Sequence, residues 1–203
     1  MGIIVIALAA LVPTVTSLSK SGGRRAAINS LLGGIEQARA EAIKSAQSTY
    51  VVFPTFTSGA QSTLDRYNYR SYAIFEDDAA HPGNVKQLTD WKCCPTGVAL
   101  RAAGSAGLPN LADPGALIPP VTFTFAPDAS ATPFKCFKFN SNGEVQAPAG
   151  NVNLGIFEGY VNNGSEVATT KDGSGNPSAV EYITVSQFTG RAEPSAPTPT
   201  PTP

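Results

Sequence analysis

Residues 28–53 read INSLLGGIEQARAEAIKSAQSTYVVF, and the sequence pattern changes within this stretch at Ser48. Before Ser48, apolar residues recur at steps of three and four residues, which is the period of an amphipathic helix. After it, Thr49–Phe53 (TYVVF) has the aromatic and β-branched composition of a strand, and Pro54 ends that run. The stretch therefore predicts an α+β fold class, in which one helix leads directly into a β-rich head.

The amphipathic helix is predicted to cover residues 20–47. Its charged side chains fall mostly between the apolar positions, so one helix face is expected to pack on a core and the other to meet water. The glycine pairs 22–23 and 33–34 weaken this helix by up to about 1 kcal/mol per glycine, and they mark bends or close contacts with a neighbour. The face expected to pack on the head consists of Ile28, Leu31, Leu32, Ile35, Ala42 and Ile43.

The chain opens with the apolar segment MGIIVIALAALVP, which contains no charged side chain. A helix over residues 1–12 is about 18 Å long, whereas a bilayer core is about 30 Å thick and requires about 20 apolar residues. A signal peptide is not favoured, because no basic region precedes the run and no good small-residue cleavage site follows it. Since Pro13 can kink a helix that continues, residues 1–47 are predicted to form one long, bent helix.

The head is predicted to contain six or seven short strands separated by loops rich in Gly, Pro, Asn and Asp. Asn142-Gly143 is the strongest hairpin signal in the chain. The stretch 102–120 is expected to be a long, irregular loop. After Thr49–Phe53, the predicted strands lie at residues 67–75, 121–125, 154–161 and 180–186, with two more inside 134–148.

The domain organisation predicted from these patterns has three parts. The helix covers 1–47, with an apolar part at 1–19 and the amphipathic part at 20–47. The antiparallel, β-rich head covers 48–193. The tail, 194–203, reads PSAPTPTPTP, and proline at this density predicts an extended, disordered segment.

The composition is that of a folded chain, with 42% hydrophobic and 14% charged residues. Its net charge of −1 gives no bulk attraction to nucleic acid. The three cysteines form no Cys-x-x-Cys motif and have no set of histidine partners for zinc. In an oxidising compartment Cys93 or Cys94 could bridge Cys136; three reduced, buried thiols are the equally weighted alternative.

Residues that could carry chemistry are sparse. His81 with Asp77 and Asp78 could hold a cation, but an acidic surface turn is the favoured interpretation of EDDAAHPGN. The segment 171–178, KDGSGNPS, lacks the strand–loop–helix context of a phosphate loop and is interpreted as a flexible hairpin tip. No Gly-x-Ser-x-Gly elbow is present. We therefore expect no catalytic, cofactor or metal site, and an enzyme is the least favoured class.

Four segments and the β head carry a family resemblance. The apolar start MGIIVIALAALVPTV, the helix INSLLGGIEQARAEAIKSAQ and the β head that follows resemble type IV pilin-like proteins, and more narrowly the GspH/FimT class of minor pseudopilins. FKFNSNGEV (137–145) is similar to a hairpin of that family, and VSQFTGRAE (185–193) to its closing strand. The resemblance implies a long N-terminal helix packed on a β-rich antiparallel head.

The resemblance also bears on the start of the chain. In the family, a proline lies about twenty-two residues into the mature helix; aligned with Pro13, it implies that about nine mature residues and a basic leader precede Met1. The complete apolar helix would then have about 21 residues and a length of about 32 Å, enough to span a bilayer. A basic leader would also place the head outside the cytoplasm. The family's glutamate at the fifth mature position is implied to pair with a neighbour's N-terminal amine, and a chain lacking it is expected to assemble poorly.

The function implied by the resemblance is that of a structural subunit without cofactor or small-molecule substrate. The helix would cross the bacterial inner membrane once, with the head in the periplasm, and would then enter a type II secretion or type IV pilus-like filament. The implied partners are other pilin or pseudopilin subunits and the inner-membrane assembly platform. The residues expected to pack in the membrane and filament are Gly2, Ile3, Ile4, Val5, Ile6, Ala7, Leu8, Ala9, Ala10, Leu11, Val12 and Pro13.

Two alternatives from other classes remain open at this point. One is a secreted or surface β-sandwich adhesin or carbohydrate-binding module with a poor signal peptide at 1–19; the helix at 20–47 argues against it. The other is a DNA-uptake minor pilin that binds DNA through Arg and Lys on its head, for which a salt-dependent mobility shift with duplex DNA would be the evidence.

Overall fold

The computed structural model describes residues 2–55, 67–82, 84–102, 118–124, 131–146 and 150–195, with side chains throughout except at 2–21, 118–124 and 131–134. Within these ranges, helix α1 (Gly2–Ser45) precedes twelve β-strands. The strands are β1 (Thr49–Phe53), β2 (Ser71–Asp77), β3 (Val85–Gln87), β4 (Lys92–Cys93), β5 (Val98–Leu100), β6 (Ile118–Thr124), β7 (Ala131–Phe139), β8 (Val145–Gln146), β9 (Val152–Asn162), β10 (Ser165–Ala168), β11 (Val180–Val185) and β12 (Ala192–Ser195).

Helix α1 is continuous through Pro13, as the sequence predicts. It ends at Ser45 because Ala46 adopts a left-handed conformation with φ of 54°. The Ser45 hydroxyl donates to the Glu41 carbonyl at 2.8 Å and accepts from the Gln47 amide at 3.3 Å, which satisfies backbone groups at the helix end. The chain then enters β1 at Thr49, so the helix-to-strand transition lies where the sequence pattern changes.

The strands form two sheets in which every described pairing is antiparallel. The first sheet has the order β3-β2-β1-β7-β6, with β4 also beside β2 and β8 also beside β7. The second has the order β10-β9-β11-β12, with β5 also beside β9. Together with α1 they give the predicted α+β architecture of a long helix on a β-rich antiparallel head.

The main core lies between α1 and the inner faces of both sheets. Ile35 of the helix is fully buried, and its cluster includes Val51 and Phe137 of the first sheet and Leu154 and Ile183 of the second. Burying one such side chain contributes about 1.5–3 kcal/mol, so the helix holds the two sheets together chiefly by apolar contact. A second cluster, on the opposite face of the first sheet, includes Val52 and Cys136.

Two element boundaries in the first sheet differ clearly from the sequence prediction. Residues 67–70 form a turn, because the Arg70 amide donates to the Tyr67 carbonyl at 3.1 Å, and β2 begins only at Ser71. Strand β6 starts at Ile118, inside the predicted irregular loop, and its pairing register shifts between Ile118 and Val121, where two prolines cannot donate.

The end of the head also differs from the prediction. Strand β12 includes Pro194 and Ser195, which the sequence assigned to the tail. Three predicted parts lie outside the described residues: the rest of the loop at 103–117, the end of the 121–125 strand, and the tail from 196 to 203.

Candidate assembly surface

The apolar start of α1 is the first candidate surface. The backbone of the predicted packing residues, from Gly2 to Pro13, is helical. Their side chains lie outside the described set, so their role in membrane and filament packing stays a prediction. Within the described part of the chain, no helix combines the length and the apolar character that crossing a bilayer requires.

The head-packing face of α1 agrees closely with the predicted face. Ile28, Leu31, Ile35 and Ala42 are buried, and Leu32 packs at the edge of the core. Ile43 is the exception: 48% of its surface is exposed, and its side chain lies over Gly143 of the Asn142-Gly143 turn. The helix therefore presents its buried face over most, but not all, of the predicted length.

Gly34 brings this face close to the first sheet. A Cβ atom added at Gly34 would lie within 2.8 Å of Cζ of Tyr72, a ring that is itself buried. The Tyr72 hydroxyl donates to the Ser30 carbonyl one turn earlier in α1. The absent side chain at Gly34 thus allows a tyrosine of β2 to pack against the helix; of the predicted bends or close contacts at this glycine pair, a close contact is found at Gly34 and not at Gly33.

The contact between α1 and the head is polar at its N-terminal end. Arg24 lies 3.4 Å from carboxylates of both Glu158 on β9 and Glu181 on β11, and its guanidinium donates to the Ala179 carbonyl at 3.0 Å. The neighbouring Arg25 is exposed. Counted from the N-terminal end of the described side chains of the helix, Arg24 is thus the first charged residue that contacts the head.

Large apolar side chains exposed on the described surface are few: Ile43 of α1, and on the head Tyr160 at 52% and Phe188 at 78% exposure. Phe188 lies on the β11–β12 turn, whose backbone is fixed at several points. The Gln187 amide donates to Asn151 at 3.1 Å, and the Gly190 amide donates to the Ser186 carbonyl at 2.8 Å. Aromatic residues, phenylalanine among them, are enriched in the buried cores of protein–protein interfaces.

The acidic turn around His81 is internally satisfied. His81 Nδ1 lies 2.8 Å from Asp78 Oδ2, and this hydrogen bond is the main cause that holds the pKa of Asp78 below its usual range. Asp77 accepts a hydrogen bond from the Tyr50 hydroxyl at 2.8 Å. No group of metal-ligating side chains occurs among the described residues.

The KDGSGNPS segment forms a compact turn between β10 and β11. The Asp172 carboxylate accepts from the amides of Ser174 and Asn176, both at 2.9 Å. Lys171 and Pro177 form an isolated antiparallel bridge at its base. Because its carboxylate is engaged by its own backbone, this segment is a structural turn, which agrees with the hairpin-tip interpretation of the sequence.

The cysteines do not form the disulfide considered from the sequence. Cys93 is exposed on β4, Cys94 is partly buried next to it, and Cys136 is buried on β7. Strands β2 and β1 separate β4 from β7, so at about 4.8 Å per strand the two sites are about 14 Å apart. A disulfide requires Cα atoms within about 7 Å, and the fold therefore keeps Cys136 from bridging either of the other two.

Two polar contacts were not predictable from the sequence pattern. The Arg101 guanidinium donates to both carboxylate oxygens of Glu166, at 3.0 Å for the shorter contacts, and to the Tyr182 hydroxyl at 3.2 Å. The contacts of Arg24 with β9 and β11 are the second case. Both join residues more than sixty positions apart, and only the pairing of strands brings them together. For Phe188 there was a signal, a large apolar residue within the polar turn sequence SQFTGR.

The chain matches a protein-family model over a large part of its length. The model is described as "Type II transport protein GspH" and matches residues 27–175. Two solved structures of the minor pseudopilin EpsH from the Type 2 Secretion System of Vibrio cholerae are similar to the chain. One is 13% identical with a TM-score of 0.44, over 86% of this chain and 97% of that chain. The other is 14% identical with a TM-score of 0.45, over 88% and 97%. No curated protein matches the sequence.

Proposed function

The chain belongs to the GspH family of type II transport proteins, and from this we propose that it acts as a minor pseudopilin, a structural subunit of a type II secretion filament. The observation that carries the proposal is the family match over residues 27–175. This range includes the head-packing part of α1 and strands β1 to β10. The function of such a protein lies in the surfaces it presents to other subunits.

The apolar start of α1 is the part that we propose enters the membrane and then the filament. Residues 2–13 carry no charge, so a lipid environment costs them no ionic desolvation. In a filament they exchange lipid contacts for subunit contacts, and because both surroundings are apolar, close packing drives the exchange. The small residues Gly2, Ala7, Ala9 and Ala10 allow neighbouring helices to approach closely.

The location follows from this proposal. Before assembly, the subunit would be anchored in the inner membrane by α1 with its head in the periplasm. The inner-membrane assembly platform and the other pseudopilins would be its partners. The head, held against α1 by the apolar core, would give the subunit its place in the filament.

The alternatives raised from the sequence are not favoured. An adhesin or carbohydrate-binding module does not require a 44-residue helix ahead of its sheets. A DNA-binding head requires a surface of available cations. Among the described residues, five of the basic side chains face carboxylates: Arg24, Arg39, Lys44, Lys86 and Arg101.

The test is complementation in a bacterium whose own gene for this subunit is deleted. The protein expressed from its complete natural gene should restore secretion of a type II substrate and should be recovered with the other pseudopilins after cross-linking. Ile3→Lys, which places a charge near the middle of the proposed span of about 21 apolar residues, should abolish both, because a lysine at the bilayer centre costs about 2.5–3.5 kcal/mol. Ser17→Lys, which lies beyond the apolar residues 2–13, is the matched control and should retain most activity. Equal function of the Ile3→Lys protein would contradict the proposal.

A further inference from the structure

Arg24 lies on the face of α1 whose other described residues are apolar. The buried residues of the described helix lie on one face: Ala27, Ile28, Leu31, Gly34, Ile35, Ala38 and Ala42. Arg24 precedes Ala27 by three residues and Ile28 by four, so it belongs to the same face. At the end nearest the apolar segment, this face therefore changes from apolar contact to a charged contact.

The head places two carboxylates and one carbonyl beside this side chain, and of the three only the carbonyl accepts a hydrogen bond from it. Glu158 lies on β9, Glu181 lies on the adjacent strand β11, and the Ala179 carbonyl directly precedes β11. The Arg24 side chain is 15% exposed and that of Glu158 is 13% exposed. Neither carboxylate has another ion-pair partner within the described residues. The site thus has two negative groups and one cation, so removing the arginine leaves two neighbouring carboxylates to repel each other.

A charged contact of this kind constrains the orientation of the helix on the head more than it raises the free energy of unfolding. Partly exposed ion pairs contribute little to the free energy of folding. The guanidinium is planar, so its hydrogen bond to the Ala179 carbonyl and the position of its Nε, 3.4 Å from both carboxylates, constrain the rotation and tilt of the helix. The neighbouring apolar contact, in which Gly23 approaches Val98 and Pro95, has no such directional preference.

The position of Arg24 makes direction important. Residues 2–22 of the helix lie beyond it, a rod of about 30 Å. A change of about 10° in tilt at Arg24 displaces the far end of that rod by about 5 Å, comparable to one helical turn. A displacement of one turn is enough to alter which side chains meet between packed helices.

We infer that Arg24, held by Glu158, Glu181 and the Ala179 carbonyl, is a positioning residue that sets the direction in which the N-terminal rod of α1 leaves the head. This inference rests on the proposed function, because direction matters when the rod packs among filament helices while the head contacts other subunits. Arg24 contacts no partner subunit in this role; it acts through the helix.

The direct test measures the helix–head geometry in detergent-solubilised full-length protein. The exposed Cys93 provides a spin-label site on the head, and Ala10→Cys provides one on the rod, in a Cys94→Ala background with the buried Cys136 retained. Pulsed electron paramagnetic resonance should give a narrow distance distribution for the parent protein. Arg24→Ala should broaden the distribution about twofold or shift its maximum by several ångströms. Arg25→Ala removes the same charge from the next residue and should leave it unchanged.

The functional arm uses the same pair of variants in the complementation strain. Arg24→Ala should lower secretion about tenfold while the thermal unfolding midpoint of the head stays close to that of the parent, and Arg25→Ala should do neither. Arg24→Glu combined with Glu158→Arg should recover the narrow distance distribution and part of the secretion. An unchanged distribution in Arg24→Ala, or equal broadening in Arg25→Ala, overturns the inference. If the parent protein fails to support secretion, the proposed function fails, and the distance measurement still decides the role of Arg24.

Discussion

Gly33 and Gly34 are neighbours in α1, yet their surroundings differ completely. A Cβ atom at Gly33 would meet nothing within 4 Å, whereas one at Gly34 would collide with the buried ring of Tyr72. The sequence marks both as glycines that weaken a helix, and it cannot tell them apart, because the difference comes from a strand that pairs nearly forty residues later. Only the three-dimensional contact separates a glycine that is required from one that is not.

The two glycines are therefore expected to respond oppositely to the same substitution. Gly33→Ala should raise the free energy of unfolding by about 0.5–1 kcal/mol, since alanine restricts the unfolded chain and favours the helix. Gly34→Ala should lower it by about 1–3 kcal/mol, because the aromatic ring is rigid and buried and must be displaced. Urea unfolding followed by circular dichroism measures both. A stabilising effect at Gly34 would show that Tyr72 does not lie against the helix.

The pair of adjacent cysteines makes a prediction about pH. Burial is the main cause that raises the pKa of the Cys94 thiol to about 11 from 9.0, so the folded protein favours the neutral thiol. The contribution of the neutral Cys94 thiol to the free energy of unfolding is fully present below about pH 9 and is lost as the pH rises towards 11. In a reducing buffer, the free energy of unfolding should therefore fall between pH 9 and 10, before most tyrosines ionise.

Removing the buried thiol tests this cause directly. Cys94→Ala should flatten the stability profile between pH 9 and 10, because the mutant has no buried thiol at this position to ionise. Urea titrations at half-unit pH steps are sufficient. Identical profiles for the parent and Cys94→Ala would mean that the thiol is not protected by the fold.

At the scale of elements, the sequence predicts those parts whose own residues determine them. Helix α1 and β1 follow from periodicity and composition. The β7–β8 hairpin follows from Asn142-Gly143, where Gly143 has a φ of 83° that favours glycine. Strands β3, β4, β5 and β10 were missed because they have only two to four residues, and their extended conformation comes from pairing with β2 and β9. Such short edge segments carry no periodicity to detect.

The C-terminal end of α1 contacts two turns of the head through glycines. A Cβ atom on Gly143 would lie 2.8 Å from the Cδ1 atom of Ile43, the mobile end of a side chain. A Cβ atom on Gly190 would collide with the backbone carbonyl of Gly143. Both glycines have positive φ, of 83° and 64°. The two turns therefore tolerate a side chain to different degrees.

Gly190→Ala is expected to lower the free energy of unfolding by at least about 2 kcal/mol more than Gly143→Ala, because a backbone carbonyl cannot move without shifting a turn. The steric part at Gly143 should be relieved by Ile43→Ala. The double mutant Gly143→Ala/Ile43→Ala should therefore have a free energy of unfolding about 0.5–1 kcal/mol higher than the sum of the two single effects predicts. A double-mutant cycle in urea measures this coupling. Strict additivity would indicate that Ile43 does not lie over the turn.

For the whole molecule, the candidate site was partly predictable. The head-packing face was found from the spacing of apolar residues, since Ile28, Leu31 and Ile35 are buried at that spacing. The contacts that orient the helix were not found, because Arg24 reads as solvated charge until the pairing of β9 with β11 brings Glu158 and Glu181 beside it. Apolar patterning shows which face is buried, whereas long-range ion pairs depend on topology.

The organisation of the whole molecule predicts that the head folds without the N-terminal rod. Every member of the described main core lies at or after Ala27, and the described contacts of α1 with the head begin at Gly23 and Arg24. A protein beginning at Gly22 should therefore keep the free energy of unfolding of the full-length head within about 1 kcal/mol. Losing the apolar segment should remove it from membranes and from the filament, because neither lipid nor neighbouring helices then have a rod to pack against.

Urea unfolding of the shortened protein, compared with full-length protein in mild detergent, tests the first part. Flotation with lipid vesicles tests the second, with full-length protein as the positive control and the shortened protein expected in the soluble fraction. The shortened protein should also fail to restore secretion although it is folded. A head that unfolds at much lower urea once residues 1–21 are removed would place part of its core in that segment. The division between an assembling rod and an independently stable head would then be wrong, since the same side chains cannot both fill the core and pack against other subunits.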